Sequence, residues 1–136
     1  MSVIHFVLSA LSIGVANICI EMFIIGFLFH NSQSLTPKIW RSESYKSYTY
    51  SILLSFLFGA LFTFFYYKIG SHYVLPHVLW SHIKLGLICF GCFGFITEMG
   101  NAIYINYDIK FALGKLIASC ITYLSAAMIV SLYYWR

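Results

Sequence analysis

The segment VIHFVLSALSIGVANICIEMFIIGFLF (residues 3–29) decides the fold, because it holds one formally charged side chain, Glu21, among aliphatic, aromatic and small residues. As a helix rising 1.5 Å per residue it reaches about 40 Å, more than the ~30 Å of hydrocarbon in a bilayer. A helix that is apolar on every face has no water-facing side, so this one belongs in lipid or in a protein core. Three further apolar runs settle between those options: Tyr50 to Ile69, Val78 to Ile96, and Phe111 to Trp135. Each reaches the roughly 17–25 residues a membrane crossing requires.

Composition agrees. The chain of 136 residues is 61% hydrophobic and only 9% charged, against about 25% charged in an ordinary soluble domain. Too few polar groups exist to wet a globule of this size. The runs are continuous rather than alternating, which excludes a membrane β-barrel. Short connections make consecutive helices run up and down beside one another. The expected fold is an all-α integral membrane bundle of four antiparallel transmembrane helices, forming a single domain over 1–136 with spans near 3–29, 50–69, 78–98 and 111–135. The first run lacks a positive n-region and a small-x-small cleavage site, so it reads as a retained span. The net charge of +4 is scattered and makes no nucleic-acid patch.

Basic residues give the expected orientation. Lys38, Arg41, Lys46, Lys110 and Lys115 lie at the end shared by loops one and three, and Lys68, Lys84 and Arg136 at the other. That bias puts loops one and three in the cytoplasm and both termini outside. The expected location is a bacterial inner (cytoplasmic) membrane. Trp40, Tyr45, Tyr48 and Tyr50, then Tyr66 and Tyr67, Trp80, and Tyr133 to Trp135 fall at the span ends, where aromatic belts form. Pro76 opens the third helix. The loop LTPKIWRSESYKSY has the makings of an interfacial helix, with Ile39 and Trp40 toward lipid.

Small and polar residues recur on one face of each helix: Ala10, Gly14, Asn17 and Glu21; Ser51, Ser55, Gly59 and Thr63; Gly91, Gly94, Glu98 and Asn101; Lys115, Ser119, Thr122 and Ala126. Apolar surface does not drive helices together in lipid, so small residues that allow close approach mark the packed faces. If His30 marks the boundary, Glu21 lies about 13 Å inside it. Glu98 is placed at the end of the third helix, and Lys115 one to two turns into the fourth. These three ionisable groups share one half of the bundle, and a Glu21–Lys115 or Glu98–Lys115 interaction makes them tolerable, with Asn17, Asn101 and Ser119 as hydrogen-bond partners. The candidate intramembrane polar cluster is therefore Glu21, Asn17, Glu98, Asn101, Lys115 and Ser119. As structure it is a lock on helix register; as function it is a site for an ion, a proton or a substrate.

Cys89 and Cys92 form a CxxC, a redox motif in the right setting. Here they sit mid-span, as do Cys19 and Cys120, and buried cysteine packs as a small hydrophobe. Of the histidines, His77 and His82 are five apart and do not share a helix face. A haem or metal reading would have to use His5 with His82. No catalytic motif of a hydrolase or nucleotide-binding enzyme occurs, so no catalytic residue, cofactor or metal is expected.

Three segments, LTPKIWRSE (35–43), GLICFGCFGFITEMGNAIYINY (86–107) and IKFALGKLIASCITYL (109–124), together with the size and the four spans, resemble a bacterial family of small four-helix membrane proteins classed as a domain of unknown function. The resemblance implies the four-helix fold and carries over no functional residues. The expected function is transport or permeation with Glu21 as the intramembrane carboxylate; the alternatives are a non-catalytic assembly subunit and a redox or haem protein. Expected partners are the lipid bilayer, further copies in a homo-oligomer, and a small ion or small-molecule substrate.

Overall fold

The computed structural model describes residues 2–33, 35, 45–75, 78–105 and 108–134. Lys38, Ile39, Trp40, Arg41, Pro76, His77, Trp135 and Arg136 lie outside the described residues, as does most of the segment expected to form an interfacial helix. Four helices long and apolar enough to cross a membrane make up the structure: Val3–Leu28, Tyr45–His72, Leu79–Tyr104 and Ile109–Tyr134. No strand occurs among the described residues. The chain is an integral membrane protein of the all-α class.

Local chemistry sets several of the helix ends. The Ser2 hydroxyl accepts from the His5 N–H and caps the first span, satisfying one of the donors a helix start leaves open. Asp108 caps the fourth in the same way, its carboxylate accepting from the Lys110 N–H at 3.0 Å. In the first turn of the third span, the Ser81 hydroxyl donates to the Val78 carbonyl and accepts from the Leu75 N–H, closing the second loop.

Two span boundaries depart from the sequence reading. The second span begins at Tyr45 rather than Tyr50, so the aromatic and basic residues 45–50 are its first turns. The third does not end near Glu98 but runs on to Tyr104. Nothing in TEMGNAIY is a strong breaker: the cost of Gly100, about 1 kcal/mol, does not stop a helix whose neighbours are good formers. Glu98 therefore sits two turns inside the helix, about 9 Å from its end.

Contacts between spans run in opposite directions along the chain, which makes neighbours antiparallel. Ser9 meets Thr63 and Asn17 meets Ser55 between the first and second spans. Ser12 meets Tyr133 and Asn17 meets Thr122 between the first and fourth. Gly86 lies against Leu124 and Gly94 against Ser119 between the third and fourth. The first span packs along the second and the fourth, and the third packs along the fourth. The second and third meet near one end only, through Tyr66 and His82 and through Gly70 and Leu85.

Small residues set the closest approach. A methyl group on Gly59 would run into the Ala10 carbonyl and the Gly14 backbone, so glycine is what lets these two helices touch. Of the expected small-residue faces, that of the third span is interrupted: Gly94 is buried, while Gly91 has open space beside it. The reason is a π-helical stretch, Phe90–Phe95, in which the buried face steps five residues from Cys89 to Gly94. A second π stretch, Met22–Leu28, follows Glu21 directly. Its last bond runs from the Phe29 N–H to the Ile24 carbonyl and sets the Phe29 ring against Gly114.

The two halves of the bundle differ. Toward the chain-terminal end lies a packed core of Ile13, Phe62, Tyr66, Leu85, Cys89 and Val130 with their neighbours. Toward the end where loops one and three lie, the second span stands away from the third and the interior opens.

Candidate functional site

The opening is a cleft of about 540 Å³. Its polar wall comes from all four spans: Asn17 and Glu21 from the first, Ser51 and Ser55 from the second, Glu98 from the third, and Lys115, Ser119 and Thr122 from the fourth. Aromatic and aliphatic side chains complete it, among them Tyr48, Phe58, Tyr123, Ile18 and Met22.

Glu21, Glu98 and Lys115 lie at one depth. Each is six or seven residues from the nearer end of its span, about 9–10 Å at helical rise. Lys115 Nζ stands 3.5 Å from Glu21 Oε2, the ion pair being with Glu21 rather than with Glu98. The Lys115 side chain is 25% exposed and that of Glu21 is 38% exposed, so the pair sits on the wall of the cleft, not inside packed protein. A lysine this deep would otherwise have to bend toward the headgroups; a carboxylate one helix away removes the need. Glu98 faces the same space from the third helix, carried there by the π stretch that precedes it.

Asn17 has a different role from the one its spacing implied. It does not bond to a charged group. Its amide donates to Ser55 Oγ at 3.0 Å, and its carbonyl oxygen accepts from Thr122 Oγ1 at 2.9 Å. Ser55 in turn donates to the Ser51 carbonyl. One half-buried amide thus ties three helices together on the wall of the cleft, with a hydrogen bond at each end. Ser119 lines the cleft and its hydroxyl abuts Gly94. Asn101, half-buried three residues beyond Glu98, is the member of the expected cluster that is not on the cleft wall.

Sequence spacing alone did not single out Tyr123, Tyr48 or Phe58. Phe58 and Tyr123 meet edge to face, with ring centroids 5.4 Å apart. Phe90 and Phe62 also lie against Tyr123. Their only sequence signal is position: Tyr123 follows Thr122, and Phe58 lies one turn from Ser55.

The histidines and cysteines lie elsewhere. His82 is buried at the closed end, its Nδ1 3.1 Å from Tyr66 Oη. His5 is half-buried on the first span. The four cysteines are free; Cys89 is in the core, while Cys19 and Cys92 face outward. Among the described residues no group of three or more His, Cys, Asp or Glu side chains could hold a metal ion.

Comparison with known proteins returned no match to a family model, a curated protein or a solved structure.

Proposed function

We propose that this chain is a small transport or permeation protein, working as a homo-oligomer in a bacterial inner membrane with both termini outside, and that the cleft is where a small ion or molecule is held. One observation carries the reading: among the described residues a space of about 540 Å³ is lined by all four spans and holds Glu21, Glu98 and Lys115 on its wall, while the opposite half of the bundle is filled by a packed core. A polar cavity in one half of a bundle that is packed in the other is what a carrier would present in one of its two access states. Ionisable side chains inside a membrane span are costly, and they are kept where they face a cavity or one another. Glu21 is the coupling group in this reading, because Lys115, its partner on the described lining, is a cation that a proton or a cationic substrate can displace from the carboxylate.

The test is flux. Liposomes holding the purified protein should show solute-driven proton movement that Glu21→Gln abolishes while the protein still inserts and folds; equal flux in the two proteins removes the coupling role.

A second reading, a non-catalytic assembly subunit, is supported by the bonds Ser9–Thr63, Ser12–Tyr133 and Asn17–Ser55, in which polar side chains join helices. That reading leaves the cleft and Glu98 without a use.

A further inference from the structure

Charge and wall chemistry narrow what the cleft would hold, on the reading that it is a substrate site. Its described lining carries three formally charged side chains, Glu21, Glu98 and Lys115. Lys115 stands beside Glu21, so those two together are close to neutral. Glu98, across the cleft on the third span, leaves the lining one negative charge in excess. At this depth a net charge is poorly tolerated alone, and the complement is a cation on the ligand. An anion would meet Glu98 unfavourably.

The wall decides which kind of cation. A bare metal ion needs a shell of oxygen donors, but most of this wall is ring and hydrocarbon: Tyr123, Phe58, Tyr48, Ile18, Met22 and Ile52. Aromatic faces attract cations whose charge is spread over a large, weakly hydrated body. The volume, about 540 Å³, lies in the range that encloses an organic molecule. We infer that the cleft binds a monovalent lipophilic organic cation, with Glu98 as its counter-charge, the rings of Tyr123 and Phe58 as its walls, and the Glu21–Lys115 pair as a neutral flank.

Equilibrium dialysis of the purified full chain in nanodiscs tests this with two probes of one shape and opposite charge, tetraphenylphosphonium and tetraphenylborate. Saturable binding is expected for the phosphonium and none for the borate. Glu98→Gln should weaken phosphonium binding about tenfold or more. Lys115→Met should strengthen it, because Glu21 then adds a second unpaired carboxylate; a lysine that only holds the fold together would do the reverse. If Glu98→Gln does not fold, by circular dichroism and gel filtration, the probe pair and Lys115→Met still decide. Equal binding of the two probes, or phosphonium binding that Lys115→Met weakens or leaves unchanged, overturns the inference. Phosphonium binding without phosphonium flux in liposomes keeps this inference and removes the transport reading. Flux of another solute without phosphonium binding does the opposite.

Discussion

Lys115 reaches across from the fourth span to within 3.5 Å of the Glu21 carboxylate on the first, and the two are partly exposed on the wall of the cleft. An ion pair in that position joins two helices that also meet through the hydrogen bonds of Ser12 and Asn17 and through the Phe29 ring against Gly114.

Removing one partner leaves the other charge at membrane depth, so Glu21→Gln and Lys115→Met should each lower thermal stability in detergent. The double variant should recover part of the loss, with a coupling on the order of 1 kcal/mol given the exposure of both groups. Melting curves for the four proteins measure it. Additive effects would mean that the pair contributes nothing.

Asn17→Ala strips the shared partner from Ser55 and Thr122 together. Hydrogen bonds between helices in lipid average about 0.6 kcal/mol and reach about 2 kcal/mol, so the variant should lose roughly 1–3 kcal/mol, the larger figure arising if the two hydroxyls stay unpaired. Ser55→Ala or Thr122→Ala alone should cost less. Denaturant titration in mixed micelles ranks them, and a neutral Asn17→Ala would show that the amide ties nothing.

Glycines separate into two groups by what surrounds them. Gly59→Ala drives a methyl group into the Ala10 carbonyl and should cost about 1–3 kcal/mol, as overpacking does. Gly100 has nothing within 4 Å of where a methyl group would sit. Gly100→Ala should therefore be neutral or stabilise by up to about 1 kcal/mol through helix propensity. Thermal denaturation of the two variants side by side would expose an error if their order were reversed.

A water-filled cleft would have reactive walls. In a background with all four native cysteines replaced, Ser51→Cys and Ser119→Cys should react with a charged methanethiosulfonate reagent, because both positions line the cleft. Ile117→Cys, exposed on the outer face of the fourth span, should not react in a bilayer, where the reagent does not enter hydrocarbon. Labelling yields by mass spectrometry read this directly, and three equal yields would show that no aqueous cleft exists.

What could be read from sequence divides along physical lines. Residues 3–29 suffice to place a helix in lipid, since length and apolarity are sums over a segment. The face shared by Ala10, Gly14, Asn17 and Glu21 was equally open to reading, because an unbroken α-helix repeats every 3.6 residues and the first span is α-helical to Glu21. Depth on antiparallel helices put Lys115 level with Glu21 and Glu98 but left its partner open between the two. The end of the third span did not follow, because TEMGNAIY is polar enough to pass for a loop although it holds no strong helix breaker and packs along the fourth span. The five-residue step from Cys89 to Gly94 left no trace in the hydropathy pattern. Nor did the choice of Ser55 and Thr122 as partners for Asn17, which depends on how two other helices are turned.

The two π stretches make the winding of the backbone, rather than the kind of residue, a determinant of the site. Each holds one residue more than an α-helix of the same rise would. Were residues 90–95 to wind as α with their number unchanged, everything beyond would turn by about 100° relative to Cys89, and Glu98 would point away from the cleft. Deleting a single residue there has the opposite consequence: Cys89 and Gly94 become four apart and stay on one face, so Glu98 keeps its place. A one-codon deletion within this stretch is thus a smaller lesion than the same deletion in an unbroken α-helix, and related chains that differ by one residue here would share the site as well as the fold.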